Sequence, residues 1–259
     1  MTVRLYRVSL WVGLLCLLVS APAKAEPRLG AAMGEWLQYN IHWTGMPGGR
    51  STLSLTEQGK GYQIDVGLQS IGMVDFFYAV NDFVQVKGRL RGRHFLADSY
   101  LKKQDEGGRK RTTLVTFERA KHQATQKRNR EKPKTIKKLA QGVTDPLSAF
   151  YTFRTIPQLK VGAHHLIPVL DSKKSYQARI DVIKKVKLNT PLGWFDTVLV
   201  HTHLKSSDIF RQKAPIKIWF TDDQRRLPVR VETSIPIGFV AADLVAYRDG
   251  MGGQQQMDD

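Results

Sequence analysis

Trp36-Leu37-Gln38-Tyr39-Asn40-Ile41-His42-Trp43 is the stretch on which the fold turns. Leu37, Tyr39, Ile41 and Trp43 alternate with the polar Gln38, Asn40 and His42. A period of two belongs to a strand with one face in a core and the other in water. Gly45-Met46-Pro47-Gly48-Gly49 then reads as a turn. Leu53 and Leu55 alternate with Thr52, Ser54 and Thr56, and Gly59-Lys60-Gly61 is a second turn. Tyr62, Ile64, Val66 and Leu68 alternate with Gln63, Asp65 and Gln69. Three such segments joined by short Gly-containing turns predict an antiparallel meander with one buried face.

The pattern extends outward along the chain. Further strands are expected over 83–90, 95–103, 166–170, 176–188, 194–204, 209–220, 228–237 and 240–247, with a long hairpin over 109–118 and 122–128. Two segments break it. The aromatic run 73–80 reads as a helical turn or a loop. Residues 145–156 predict the one principal helix, with Asp145 as its cap, Pro146 in the first helical position and Pro157 just beyond its end. Leu147, Phe150, Tyr151 and Arg154 fall on one helical face, so Phe150 is expected to be buried against the sheet. No repeat or linker divides the chain, which predicts a single β-rich domain over 26–249. The Gly- and Gln-rich residues 250–259 predict a flexible tail.

The chain has 259 residues, 42% of them hydrophobic and 24% charged, which are the proportions of a folded domain rather than of a disordered chain. Residues 1–25 form a separate unit. Arg4 and Arg7 precede an apolar run over 8–19, and Ala23-Lys24-Ala25 offers a small-x-small cleavage site before Glu26. This is the pattern of a secretory signal peptide, and the run is too short to span a bilayer. Cys16, the only cysteine, lies inside that leader and lacks the small residues that precede a lipidated cysteine. The exported chain would therefore have no disulfide, thiolate metal site or thiol nucleophile. Of the formal net charge of +17, the leader holds three positive charges, leaving +14. A periplasmic chain this basic is expected to meet lipopolysaccharide, phospholipid heads or anionic glycans, including peripheral contact with a membrane surface; export argues against nucleic acid. Residues 102–138 concentrate the charge, with 14 Lys or Arg against four Asp or Glu, a net +10. At their centre Lys127, Arg128, Arg130, Lys132 and Lys134 predict an exposed loop in contact with an anionic surface.

Three longer stretches carry a family resemblance. They are Gly34-Glu35-Trp36-Leu37-Gln38-Tyr39-Asn40-Ile41-His42-Trp43 followed by Gly45 and Gly48, Asp145-Pro146-Leu147-Ser148-Ala149-Phe150-Tyr151-Thr152-Phe153-Arg154, and Trp219-Phe220-Thr221-Asp222-Asp223-Gln224-Arg225-Arg226-Leu227-Pro228-Val229. Pro191-Leu192-Gly193-Trp194-Phe195 also fits. Their order and spacing resemble the domain of unknown function 3108 family of exported bacterial envelope proteins, over 34–244. The resemblance implies a mainly β fold: an antiparallel curved sheet, or open half-barrel meander, packed around one principal helix. It implies no activity, and the basic stretch 102–138 is not part of it.

Asp222-Asp223 is a carboxylate pair on paper, but neighbours on a strand point to opposite faces, so a tight turn is the better reading. His201 and His203 share a strand face at a spacing that suits a metal, yet no third ligand is evident. Ser148 lies in the helix, and neither a Gly-x-Ser-x-Gly elbow nor a phosphate-binding loop is present. Arg154 is expected to pair with a sheet carboxylate or to reach an anionic ligand. Trp36, Trp43, Phe76, Phe77, Tyr78, Phe150, Tyr151, Phe153, Trp194 and Trp219 are expected to be mostly core. An open curved sheet has an apolar concave face that a helix or an acyl chain can fill. The reading is a non-enzymatic periplasmic binding or carrier protein for a lipid, a lipidated molecule or an anionic glycan, with Arg154, Trp219, Trp43 and Tyr151 on the ligand side and no metal or cofactor. The rival readings are a hydrolase or modifier of envelope polymers and an assembly partner of outer-membrane machinery. Cleavage after Ala25 predicts Glu26 as the first residue of the exported protein; intact mass of the periplasmic fraction checks this, and a full-length chain held in the inner membrane would refute it.

Overall fold

The computed structural model describes residues 33–171, 174–203, 214–250 and 252–257; the expected leader and its cleavage site lie outside the described residues. The opening alternation forms β1 (Trp36–Trp43). The chain winds outward from it through β2 (Met46–Gln58), β3 (Gly61–Ser70), the short helix α1 (Gly72–Phe77), β4 (Asn81–Arg91), β5 (His94–Glu106), β6 (Arg109–Glu118) and β7 (Gln123–Arg128) to the edge strand β8 (Lys134–Ile136). It crosses by way of α2 (Pro146–Arg154) to the opposite edge, β9 (His164–Asp171). It then returns through β10 (Lys174–Thr190), β11 (Gly193–His203), β12 (Ile216–Thr221) and β13 (Pro228–Ser234) to β14 (Phe239–Arg248). β14 pairs with β1, so the first and last long strands meet in the middle of one antiparallel sheet. The flexible tail expected over 250–259 is corrected in part: β15 (Gln254–Gln256) pairs with β14, and the Gln255 side chain donates to Leu192 O at 3.0 Å.

The sheet is open, because β8 and β9 do not pair. The segment between them spans the gap instead. Leu139 N donates to His122 O beside β7, Thr144 N donates to Pro168 O, and Leu170 N donates to Thr144 O on β9. The turns alternate between two ends of the sheet. α2 occupies the end that holds the β4–β5, β6–β7 and β12–β13 connections. Thr155 Oγ1 donates to Arg93 O, Arg119 to Val143 O and Arg154 to Arg225 O.

The helix starts as its sequence requires. Asp145 Oδ1 accepts from Leu147 N at 2.9 Å and from Ser148 N at 3.2 Å, and Pro146 follows the cap. Its packing differs from a single apolar face laid on a sheet. Ser148, Ala149, Tyr151, Thr152, Phe153 and Arg154 are all buried, while Leu147 and Phe150 are half-buried. The cause is enclosure: Tyr151 joins the larger core cluster, built mainly from β1–β7 and β14, whereas Ala149 and Phe153 join that of β9–β12. Phe150 rests against Phe220 on the boundary between them.

The enclosed helix also completes the sheet's hydrogen bonding. β6 pairs with β5 only from Ser99 onward, which leaves the first part of β5 without a strand on that side. There Phe95 N donates to Thr152 Oγ1 and Ala97 N to Thr144 Oγ1, both at 3.0 Å, and Ala97 O accepts from Arg119. A buried amide without a partner costs on the order of 1–3 kcal/mol, so these hydroxyls replace a missing strand. Gly88, at a bulge in β4, allows the Tyr62 ring to pass: a Cβ there would clash with that ring and with Leu96 O.

A buried ion pair locks the arrangement. Glu35, just before β1, is fully buried, and the Arg154 side chain is 3% exposed. Arg154 Nη1 and Nη2 donate to Glu35 Oε1 and Oε2 at 2.7 and 2.6 Å, and Tyr151 OH donates to Oε1 at 3.0 Å. Burial alone would lower the Arg154 pKa, but the Glu35 charge outweighs it and the group is held well above its ordinary value. Of the two expected partners for Arg154, a carboxylate next to the sheet is the one present. Glu35→Ala is expected to cost about 3–5 kcal/mol in chemical denaturation, because it strands a buried guanidinium. Replacing Glu35 and Arg154 together by Met should cost much less than either single change. Equal losses in the single and double variants would refute the pair as the lock.

Candidate functional site

Every second residue of the strands faces the concave side, and burial along these inward files falls in one direction. In β1, Leu37 and Tyr39 are buried, while Ile41 and Trp43 are half-buried. In β3, Tyr62 and Ile64 are buried, while Val66 and Leu68 are half-buried. Leu244 to Ala242 in β14, Phe220 to Ile216 in β12 and Ala178 to Tyr176 in β10 repeat the trend, whereas in β4 half-buried Val84 is followed toward the mouth by buried Asp82. The deep ends lie around α2 and the shallow ends lie away from it. The concave face is therefore packed around the helix at one end and leaves a half-covered chamber at the other, apolar along β1, β3, β12 and β14.

The mouth has two kinds of rim. The β1–β2 and β13–β14 turns meet there, with Thr44 N donating to Phe239 O and Trp43 Nε1 to Ile237 O at 2.8 Å. α1 sits beside them, where Ile71 N donates to Gly48 O. Its side chains turn outward: Met73, Phe76 and Phe77 are 71%, 83% and 75% exposed, and Met46, Tyr78 and Ile237 are also exposed. Tyr78 reaches the β5–β6 turn and lies over Gly107, whose φ of +55° and lack of a Cβ permit the contact. From that turn the rim becomes basic. Arg109, Lys110 and Arg111 are exposed, and Asn129 in the β7–β8 turn exchanges hydrogen bonds with Thr112.

Inside the chamber, Asp82 Oδ1 accepts from Asp105 N at 3.1 Å. Burial, and then the neighbouring Glu106 charge, raise the Asp82 carboxyl above the ordinary range. At the plugged end Tyr62 OH and Ser148 Oγ lie 2.7 Å apart in a hydrogen bond. Burial raises Asp145 to about 6 despite its cap hydrogen bonds.

The residues expected on the ligand side do not form one site. Arg154 and Tyr151 meet at Glu35 in the plug. Trp43 lies at the mouth. Trp219 falls on the convex side of β12, opposite Ile218 and Phe220, and pairs in register with Arg230. The basic set separates too: Arg130 and Lys132 lie in the β7–β8 turn at the mouth, Lys127 and Arg128 point to opposite faces of β7, and Lys134 lies on the edge strand β8. Asp222 and Asp223 occupy a turn. Asp223 accepts from Arg225 N and Arg226 N at 3.0 Å, and Asp222 bonds Lys185 at 2.6 Å. His203 lies 3.3 Å from Asp181, and Asp181 is paired in register with His201. Among the described residues no group of three or more His, Cys, Asp or Glu could hold a metal ion, and no helix is long and apolar enough to cross a membrane. The expectation that the aromatics are mostly core is corrected: Phe76, Phe77, Tyr78 and Trp194 are exposed, and Trp36, Trp43, Phe150 and Trp219 are half-buried. A six-residue helix has no second face to hide, which is why α1 leaves its rings in water.

An open antiparallel sheet wound around a plugging helix defines a barrel-like β class. The chain belongs to the family described as Protein of unknown function (DUF3108), matched over residues 38–245. Among solved structures it is similar to a β-barrel-like protein of the DUF1849 domain from Brucella abortus, at 9% identity and a TM-score of 0.58, covering 85% of this chain and 98% of that one. A DUF1089 family protein from Pseudomonas aeruginosa matches at 10% identity and a TM-score of 0.35, over 69% of this chain and 87% of that one. A comparison with curated proteins finds no match.

The raised Asp145 pKa fixes a pH dependence. Between about pH 4 and 6 the folded state holds a proton on Asp145 that the unfolded state releases, so this group's contribution to stability falls as pH rises through that window. Asp145→Asn keeps a capping oxygen and cannot ionise. Relative to the variant, the native chain should lose on the order of 2–3 kcal/mol between pH 4 and 7 in urea denaturation. Parallel stability profiles for the two proteins would refute the assignment.

Proposed function

We propose that this protein is a non-enzymatic binding or carrier protein of the periplasm that takes up the apolar part of a lipid or lipidated molecule. The observation that carries the reading is the burial gradient: apolar inward files that are packed at the helix plug and open at the far end. Ile41, Val66, Leu68, Val84, Ile216 and Ala242 give the chamber the chemistry of an acyl-chain site, and Asp82 and Lys102 add polar groups on its β4–β5 side. The periplasmic part of the proposal rests on the leader pattern in residues 1–25.

Native mass spectrometry of the protein purified without detergent should reveal an adduct of lipid mass, and a fluorescent fatty-acid probe should compete with it. Val84→Trp and Ala242→Trp narrow the chamber without adding charge. They should reduce probe affinity about tenfold or more while leaving the circular dichroism unchanged. A wild-type protein that carries no adduct and binds no acyl probe would overturn the reading.

A further inference from the structure

We propose that the mouth of the chamber is a membrane-docking surface for an anionic lipid bilayer, with α1 as its inserting element. Three observations at one end of the sheet converge. The first is exposure: none of the residues of α1 is buried, and Met73, Phe76, Phe77 and Tyr78 face solvent beside Met46 and Ile237. Monomeric domains seldom leave so many large apolar side chains together in water unless the patch meets a partner or a membrane. The second is charge. The adjoining start of β6 presents Arg109, Lys110 and Arg111, and the β7–β8 turn presents Arg130 and Lys132, all exposed. Against them stand Glu131, Glu106, which pairs in register with Arg109, and Asp105, which lies 3.6 Å from Lys110, so five cations face three acids. The third is continuity. Gly107 N donates to Ala79 O and Tyr78 covers Gly107, which fixes the apolar arc next to the basic one.

An apolar wedge flanked by cations matches the layered chemistry of an anionic bilayer surface, with acyl chains beneath negative heads. Asp75, the acid on α1, accepts from Ser70 Oγ at 2.5 Å and so is held by the protein. The basic stretch thus acts through the first residues of β6 and the β7–β8 turn at the mouth, rather than through Lys127 and Lys134. The proposal does not require the chamber to hold a lipid.

Co-sedimentation with vesicles tests it, using phosphatidylglycerol–phosphatidylcholine mixtures against phosphatidylcholine alone. Two variants are compared: Phe76→Ser with Phe77→Ser, and Arg109→Gln with Lys110→Gln and Arg111→Gln. Their side chains are exposed, so thermal melts should match the native chain. The native protein should bind the anionic vesicles at low salt, more weakly at high salt, and bind the neutral vesicles least. Each variant should bind the anionic vesicles about tenfold or more weakly. Amide exchange over 72–78 and 107–111 should slow on anionic vesicles. Binding unchanged in either variant, equal binding to both vesicle types, or protection of these segments only by another protein would overturn the proposal. Both variants leave the chamber residues intact, so retention of the acyl probe separates failure of docking from failure of the carrier reading.

Discussion

A carboxylate and a guanidinium 119 residues apart in sequence, taken wholly out of water and bonded through both oxygens, hold this molecule's helix inside its sheet. Such a pair contributes little net stability, since desolvation offsets most of the attraction. What it supplies is selection among arrangements. A helix shifted by one turn, or turned to present another face, would leave both charges buried and alone. The pair therefore ties the chain just ahead of β1 to the last turn of α2, with Arg225 O and Tyr151 OH as further partners. Everything at that end of the sheet is built around this point.

The remaining helix contacts obey the same rule that buried polar groups must be matched. Thr144 and Thr152 lend their hydroxyl oxygens to the Phe95 and Ala97 amides of β5, which have no neighbouring strand, and Arg119 serves the Ala97 carbonyl. A sheet that stops short of closure has such debts along its margins. Here they are met by side chains of the crossing segment rather than by another strand. The helix is thus both core and edge cover, which accounts for how little of its surface reaches solvent. The far end has no equivalent, and its inward side chains and α1 remain partly in water.

Much of the architecture was legible in the sequence because it is local. Alternation such as Leu37, Tyr39, Ile41 against Gln38, Asn40, His42 reports a half-buried strand without reference to anything distant. Asp145-Pro146 announces a helix start for the same reason. The partner of Arg154 was not legible, because nothing near Glu35 in the chain distinguishes it from a surface glutamate. The enclosure of α2 is not legible, because periodicity assumes one packing partner and enclosure supplies several. Phe76 and Phe77 were read as core because large apolar side chains usually are. Only the shortness of the segment, with no complementary face of its own, hinted otherwise. The grouping of Arg109–Arg111 with Arg130 and Lys132 depends on which turns share an end of the sheet, a property of topology alone.

The pairing of β1 with β14 has a consequence for the order in which the molecule can be made. Strands β1 to β8 each find their neighbour a few residues away, so that half can zip up first. The other edge of β1 must wait for a strand some two hundred positions later, since Tyr39 pairs with Leu244. Contacts of such long sequence separation are slow to form, and an unpaired strand edge is a template for association with other chains. Until the C-terminal strand arrives, the protein is a half-sheet with a sticky seam down what will become its middle. The waiting time of that seam is an interval in which an unpaired strand edge is open to other chains.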